Sequence, residues 1–158
     1  MTSPSGDSDV VVMGCRFPLR LYYDVPNHMW YEPLPDGLVR VGMSVVAAAL
    51  ADNRIFAFTP KRAGRDLERG RSCATVESNK WAGPARIAFD GKVEAINEAL
   101  MDRPGLLATD PYGAGWMIVA RPASEAVLAA LVTGAAIADT YARWMHDNDF
   151  PGCQAAGS

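Results

Sequence analysis

The chain is poor in cysteine, histidine and lysine, and each shortage narrows its chemistry. Three cysteines (Cys15, Cys73 and Cys153) in 158 residues are too few and too scattered for a disulfide framework. No Cys-x-x-Cys pair and no His/Cys cluster with ligand spacing occurs, so a structural zinc site is not expected and no metal ligand is assigned. His28 and His146 have no Ser, Cys or acidic partner at a recognisable spacing, which leaves a catalytic triad unsupported and no catalytic residue named. Long apolar runs are missing too. Even a run such as Val45 to Ala51, which none exceeds, is far short of a membrane span. The first ten residues, MTSPSGDSDV, lack the basic and apolar regions of a signal peptide. Positive charge is not in excess: 15 basic against 18 acidic residues give a net charge of −3, which argues against nucleic-acid or anionic-membrane binding through bulk charge. The expectation is a soluble, cytoplasmic protein.

What remains is an ordinary globular composition, 49% hydrophobic and 21% charged, suited to one domain with one core. Residues 1–9, rich in Ser, Gly and Asp, read as a disordered tail, 10–149 as the domain, and 150–158, with Pro151 and Gly152, as a second tail. Short apolar runs alternate with turn signals: Leu21–Asp24, Met29–Glu32, Leu38–Met43, Arg54–Phe58, Cys73–Ser78, Arg86–Phe89, Lys92–Ile96 and Trp116–Ala120. Asp90-Gly91 between two of these runs predicts a hairpin. The spacing suggests a small β sandwich or barrel. Ser44 is placed to cap a short helix to Leu50. A C-terminal helical region is expected over about 124–148, capped by Ser124, interrupted at Gly134, and carrying Ile137, Tyr141, Trp144 and Met145 on one face.

The basic set is lopsided, with twelve Arg and only Lys61, Lys80 and Lys92. A codon-biased source explains the excess, yet each retained Lys merits inspection for amine chemistry. In Cys73-Ala74-Thr75-Val76-Glu77-Ser78-Asn79-Lys80-Trp81-Ala82-Gly83-Pro84, an apolar strand runs into a polar turn, and Pro84 bars a helix. Lys80 therefore sits at or near a hairpin tip. A rigid tip is a good mount for a long arm, and acylating the ε-amine removes its charge while lengthening the stem.

Here the sequence resembles the lipoyl-bearing H protein of the glycine cleavage system and its relatives. Glu77-Ser78-Asn79-Lys80 is like the family's Glu-Ser-x-Lys. Ile87 to Leu100 is similar to its strand–turn–strand ending in Val-Asn-x-x-Leu. Pro104 to Met117, with Pro111-Tyr112-Gly113-Ala114-Gly115-Trp116, looks like its Pro-x-Leu…Pro-Tyr-x-x-Gly-Trp. The resemblance implies a mainly β fold with added helices: a flattened β-barrel or barrel-sandwich hybrid lipoyl domain, with short peripheral helices and C-terminal helices. It implies lipoate bound covalently to Lys80, Glu77 helping a lipoate-attaching enzyme select that lysine, and a carrier that catalyses nothing. Trp81, beside Lys80, offers the dithiolane a sulfur–aromatic contact or is an ordinary half-packed turn aromatic.

Within that family, Gly14-Cys15-Arg16-Phe17-Pro18 and Leu21-Tyr22-Tyr23-Asp24 resemble the lipoate-binding proteins of the bacterial heterodisulfide-reductase-like sulfur-oxidation pathway. That branch implies carriage of sulfur intermediates during cytoplasmic oxidation to sulfite, with a heterodisulfide-reductase-like complex and sulfurtransferases as partners. The alternative is a glycine cleavage H protein carrying an aminomethyl group. Against that alternative, the family pattern places a Glu, a His and an Asp where this chain has Met29, Val46 and Pro84, and an ammonium cargo needs polar partners. Those apolar residues, with Trp81, are expected to surround the dithiolane.

Cys15 and Cys153 are possible redox residues or unrelated cysteines, since connectivity is not readable from spacing. Cys73 is expected to be buried and His28 to be a strand or surface residue. Lys61, Arg62, Arg65, Arg69 and Arg71 form either a solvated loop or a docking patch for an acidic partner.

Overall fold

The computed structural model describes residues 8–153. In chain order its elements are β1 (Asp9–Val12), β2 (Cys15–Pro18), β3 (Tyr22–Asp24), β4 (Met29–Pro33), β5 (Val39–Met43), α1 (Val45–Leu50), β6 (Ile55–Pro60), β7 (Asp66–Leu67), β8 (Ser72–Ser78), β9 (Ala82–Arg86) and β10 (Gly91–Ile96). Then come α2 (Ala99–Asp102), α3 (Leu106–Thr109), β11 (Ile118–Pro122), β12 (Val132–Thr133) and α4 (Ala136–Asp147). Seven strands form one sheet in the order β12-β3-β4-β5-β11-β10-β7, three form another, β6-β8-β9, and β1-β2 is a separate hairpin. The sheets do not close into a continuous barrel, so the expected mainly β hybrid is realised as a sandwich. Between the two larger sheets lies one core, with Tyr31, Val41, Val93 and Ile118 from one side and Phe58, Cys73 and Val76 from the other.

Strand alternation gives the large sheet a second buried face. Met29 and Tyr31 of β4 point into the first core, while Trp30 joins a second core with Phe17, Leu21, Tyr23, Val46, Ile137 and Tyr141. Gly42 of β5 is required beneath Trp30, because a Cβ there would lie 2.4 Å from the indole ring. The freed space lets the indole N–H donate to the Pro111 carbonyl at 3.0 Å. Ser44 caps α1 as expected, its Oγ accepting from the Val46 N–H. The helix then stops at Asp52 and Asn53, which both take positive φ, a conformation these residue types tolerate.

Three expectations change. Asp90-Gly91 is not a hairpin turn. β9 pairs with β8, and β10 pairs with β11 and β7, so residues 87–90 cross from one sheet to the other. Gly91 is needed instead for a close approach, since a Cβ would lie 2.3 Å from the Arg121 carbonyl oxygen. The helical region is shorter than 124–148. Ser124 Oγ accepts only from the Ala126 N–H, Val127–Ala130 is a single 3-10 turn, and Val132–Thr133 pair with β3. The helix proper begins at Ala136, after Gly134 turns at φ 60°, and buries Ile137, Tyr141 and Met145 on one stripe. Finally, the tail boundaries move. Asp9 pairs with Pro18, and Phe150 is buried against Trp144. Residues 1–7 and 154–158 lie outside the described residues.

Candidate functional site

β8 and β9 meet in a tight turn at Asn79-Lys80. Two-residue hairpin loops favour positive φ at one or both loop positions, yet neither Asn79 nor Lys80 has it. The neighbouring Ser78 supplies the support. Its Oγ accepts from the Lys80 N–H at 3.2 Å and the Trp81 N–H at 3.0 Å, and donates to the Trp81 carbonyl at 2.8 Å. The Ser78 N–H also donates to that carbonyl at 2.8 Å. One buried hydroxyl thus fixes the backbone on both sides of Lys80, whose side chain is exposed.

The three lysines differ in what holds them. Lys92 Nζ lies 2.7 Å from Asp66 Oδ1, and Lys61 Nζ donates to the Asp66 carbonyl at 3.4 Å. The Lys92 hydrogen bond is the leading cause of a lowered Asp66 pKa. Lys80 makes no ion pair or side-chain hydrogen bond among the described residues. Its ammonium is unpartnered on a pinned backbone, which suits covalent attachment of a carboxylic-acid cofactor through an amide.

Glu77 lies one row behind Ser78, opposite Ala57 of β6 and Ala82 of β9. It is half-exposed between two small side chains and makes no ion pair among the described residues. Trp81 is half-buried and packs on the first core, so part of its ring serves the fold. Two residues at this end of the sheet were not singled out from the sequence. Ser78 belongs to the Glu-Ser-x-Lys motif, but its triple hydrogen bonding depends on turn geometry. Phe56 is 57% exposed and occupies a register shift between Ile55 and Ala57, beside Ser78 and Glu77. Its signal in the sequence is a broken alternation: the buried residues Ile55 and Phe58 are three apart instead of two.

The other sequence candidates lie elsewhere. Met29 and Val46 are wholly buried in different cores and Pro84 is exposed on β9, so the expected apolar surround of the cofactor does not assemble from them. Cys15 and Cys153, whose connectivity the spacing left open, form a disulfide in the second core. Cys73 is buried as expected, and burial pushes its thiol up to about 12. His28 is not a strand or surface residue. It is buried at a turn with φ 57°, edge-on to Trp144 at 4.4 Å, and its Nδ1 has no hydrogen-bond partner among the described residues. Burial lowers its pKa to about 4. Arg62, Arg65, Arg69 and Arg71 are exposed, with Arg71 near Glu68 at 3.7 Å. A cleft of about 560 Å³, lined by Asp24, Arg69, Phe89, Asp90 and Leu131 among others, opens at the end of β8 and β9 opposite to Lys80. Among the described residues no group of three or more His, Cys, Asp or Glu is arranged to hold a metal, and no helix is long and apolar enough to cross a membrane.

The remaining motif residues build the frame. Asn97 donates to the Ala114 and Trp116 carbonyls at 2.8 and 2.7 Å and accepts from the Ala99 N–H. The Tyr112 hydroxyl donates to the Arg16 carbonyl at 2.8 Å and accepts from the Val45 N–H.

Comparison with known proteins agrees with this layout. The family model described as glycine cleavage H-protein matches residues 21–143. Glycine cleavage system H protein 5 of Aquifex aeolicus is 43% identical over 116 residues, 72% of this chain and 78% of that protein. A probable glycine cleavage system H protein 2 of Sulfolobus acidocaldarius is 35% identical over 127 residues, 79% of this chain and 85% of that one. The crystal structure of a glycine cleavage system H protein from Mycobacterium marinum superposes with a TM-score of 0.68 at 31% identity, covering 85% of this chain and all of that one. Proteins of this kind are non-catalytic and carry lipoate covalently on a lysine. With the family model spanning most of the sandwich and the fold shared with a solved member, the chain belongs to the glycine cleavage H-protein family.

Proposed function

We propose that Lys80 is the lipoyl lysine and that the chain carries an aminomethyl group between the enzymes of glycine cleavage, after a lipoate-attaching enzyme has modified it in the cytoplasm. The observation that carries this reading is the exposed, unpartnered ammonium of Lys80 on a turn pinned by Ser78. The names of the relatives support the cargo. When bound, lipoate supplies a dithiolane that exchanges with thiols. Ser78 holds the backbone that aims Lys80 outward, Glu77 marks the lysine for modification, and Trp81 lends the exposed part of its ring to the sulfur atoms. The pinned mount raises the effective concentration of a tethered group near a docked partner.

A second reading keeps the same arm and changes the cargo to sulfur intermediates, with a heterodisulfide-reductase-like complex and sulfurtransferases as partners. One observation favours it. At the three positions where the family pattern has a Glu, a His and an Asp, Met29 and Val46 are buried among apolar side chains and Pro84 has no hydrogen-bonding group. None of the three offers a partner to an ammonium. Cys15 and Cys153 enter this reading as a disulfide that a dithiol carrier would exchange with. Such a bond is unusual in the cytoplasm unless it is redox-active.

The deciding experiment supplies the lipoylated protein with a glycine decarboxylase and glycine labelled at its methylene carbon. Label appearing on the protein in proportion to its lipoyl content is the expected result. No label, with sulfur uptake by the reduced protein from a persulfide donor, would replace the aminomethyl reading with the second one.

A further inference from the structure

β6 is interrupted where it passes the Lys80 turn. Ile55 pairs with Ser78 and Ala57 with Glu77, leaving Phe56 as the extra residue of a β-bulge. A bulge sets two residues of one strand against one of its partner and re-aims a side chain, and bulges concentrate next to functional sites. Here the extra residue is a phenylalanine left 57% exposed. The residues near it are small or uncommitted. Ala57 and Ala82 flank Glu77 in the same row, and neither Glu77 nor Lys80 is ion-paired among the described residues. One end of one sheet thus presents a phenyl ring, a free carboxylate and a free ammonium on a rigid backbone. Farther along the same face the next row is Thr59, Thr75 and Pro84, all exposed and none aromatic.

We propose that Phe56 is the apolar anchor by which the lipoate-attaching enzyme recognises the Lys80 hairpin, alongside Glu77; this rests on the reading that Lys80 is the lipoylated residue. The attaching enzyme is the occupant because it alone must choose among three lysines, and it meets Lys80 unmodified. An active site that encloses the Lys80 ammonium covers the end of the sheet where Phe56 stands. In the reaction, the Lys80 ammonium gives up one proton to solvent, the free amine attacks the acyl carbon of a lipoyl adenylate, and a second proton leaves the nitrogen as the adduct collapses. The amide C–N bond forms, the acyl C–O bond breaks, AMP leaves with the electron pair, and nothing is oxidised or reduced. Phe56 takes no part in those bonds. Its contribution is to docking, as exposed aromatics in interface centres contribute.

The test uses the full chain with a lipoate ligase, lipoate and ATP, reading the mass of the Lys80 peptide over time. Phe56→Ala is expected to lower kcat/KM for the carrier by about tenfold or more, chiefly through KM, while the ligase's rate of lipoyl-adenylate formation without carrier is unchanged. Phe56→Tyr keeps the ring and restores most of the rate, and Phe56→Leu falls between. Thr59→Ala, on the same face, modifies as wild type. Equal rates for Phe56→Ala and wild type would overturn the proposal. A folding defect in Phe56→Ala, read by circular dichroism, moves the test to the Tyr and Leu variants, where reversed or absent ranking overturns it. A wild-type chain that gains lipoyl mass elsewhere than Lys80, or none, would instead overturn the underlying reading.

Discussion

The Lys80 turn and the aromatic cap around α4 are held together in opposite ways. At the turn, one hydroxyl makes three bonds within four residues. The cap is assembled from distant parts of the chain. Phe17 stacks on Tyr141 at 4.2 Å, Tyr23 meets both rings edge-on, and the Tyr141 hydroxyl lies 3.3 Å from Ser44 Oγ. A disulfide joins residues 138 apart. The turn is local, and its lysine is exposed. The cap is buried and long-range because β2, β3, α4 and the Cys15–Cys153 bond pack over the second face of the large sheet. Variants at the exposed Lys80 and in the cap are therefore expected to separate, with Ser78, buried beneath the turn, as the residue that touches both readouts.

The largest separation comes from Lys80→Arg. It should abolish the lipoyl mass increment in an intact-mass spectrum, because a guanidinium does not form the amide, while the melting temperature stays at the wild-type value. A residual increment would assign the arm to Lys61 or Lys92.

Removing the staple does the reverse. Cys15→Ser with Cys153→Ser should cost roughly 2–5 kcal/mol by denaturant titration, the usual range for deleting a native disulfide, and leave the initial rate of Lys80 lipoylation unchanged. A changed rate would couple cap to turn.

His28 gives the cap an acid limit. Its imidazole stays neutral in the fold down to about pH 4, whereas in the unfolded chain it protonates near 6.5. Protonation then favours unfolding. The stability due to neutral His28 is fully present above about pH 6.5 and is lost as the pH falls through 4, about 3 kcal/mol in all. His28→Asn keeps a residue that tolerates φ 57° and should flatten this acid slope. Parallel slopes in wild type and variant would show that His28 is not the titrating group.

The smallest effect is expected at Ser78→Ala, about 1–2 kcal/mol for a buried hydroxyl with several partners, together with a few-fold slower lipoylation. An unchanged rate would mean that the backbone aims Lys80 without its pin.

Local signals in the sequence held where local forces decide the outcome. Ser44 caps α1, Cys73 is buried, Ile137, Tyr141 and Met145 line one helix stripe, and Lys80 stands at a strand–strand turn. The signals failed where a distant partner chooses. Asp90-Gly91 has hairpin chemistry, but β10 finds β11 and β7, and Asp90 spends its carboxylate on the Arg69 N–H at 2.8 Å. Val132 and Thr133, inside an expected helix, are drawn out as an edge strand on β3, where β-branched side chains fit.

By itself the sequence determined that Lys80 stands at a strand–strand turn. Lys80, its Glu-Ser-x context and the flanking strand pattern are contiguous, and a hairpin needs little beyond its own residues to place its tip. Tertiary structure alone decided which lysines were tied to Asp66, that Cys15 meets Cys153, that Met29 and Val46 are buried in separate cores, and that Phe56 emerges at a bulge beside Glu77. Apart from the Lys61 contact, which spans five residues, each of these depends on register or on contact between segments far apart in the chain. Strand register turns on a single residue, and a shift of one position moves a side chain from the core to the surface.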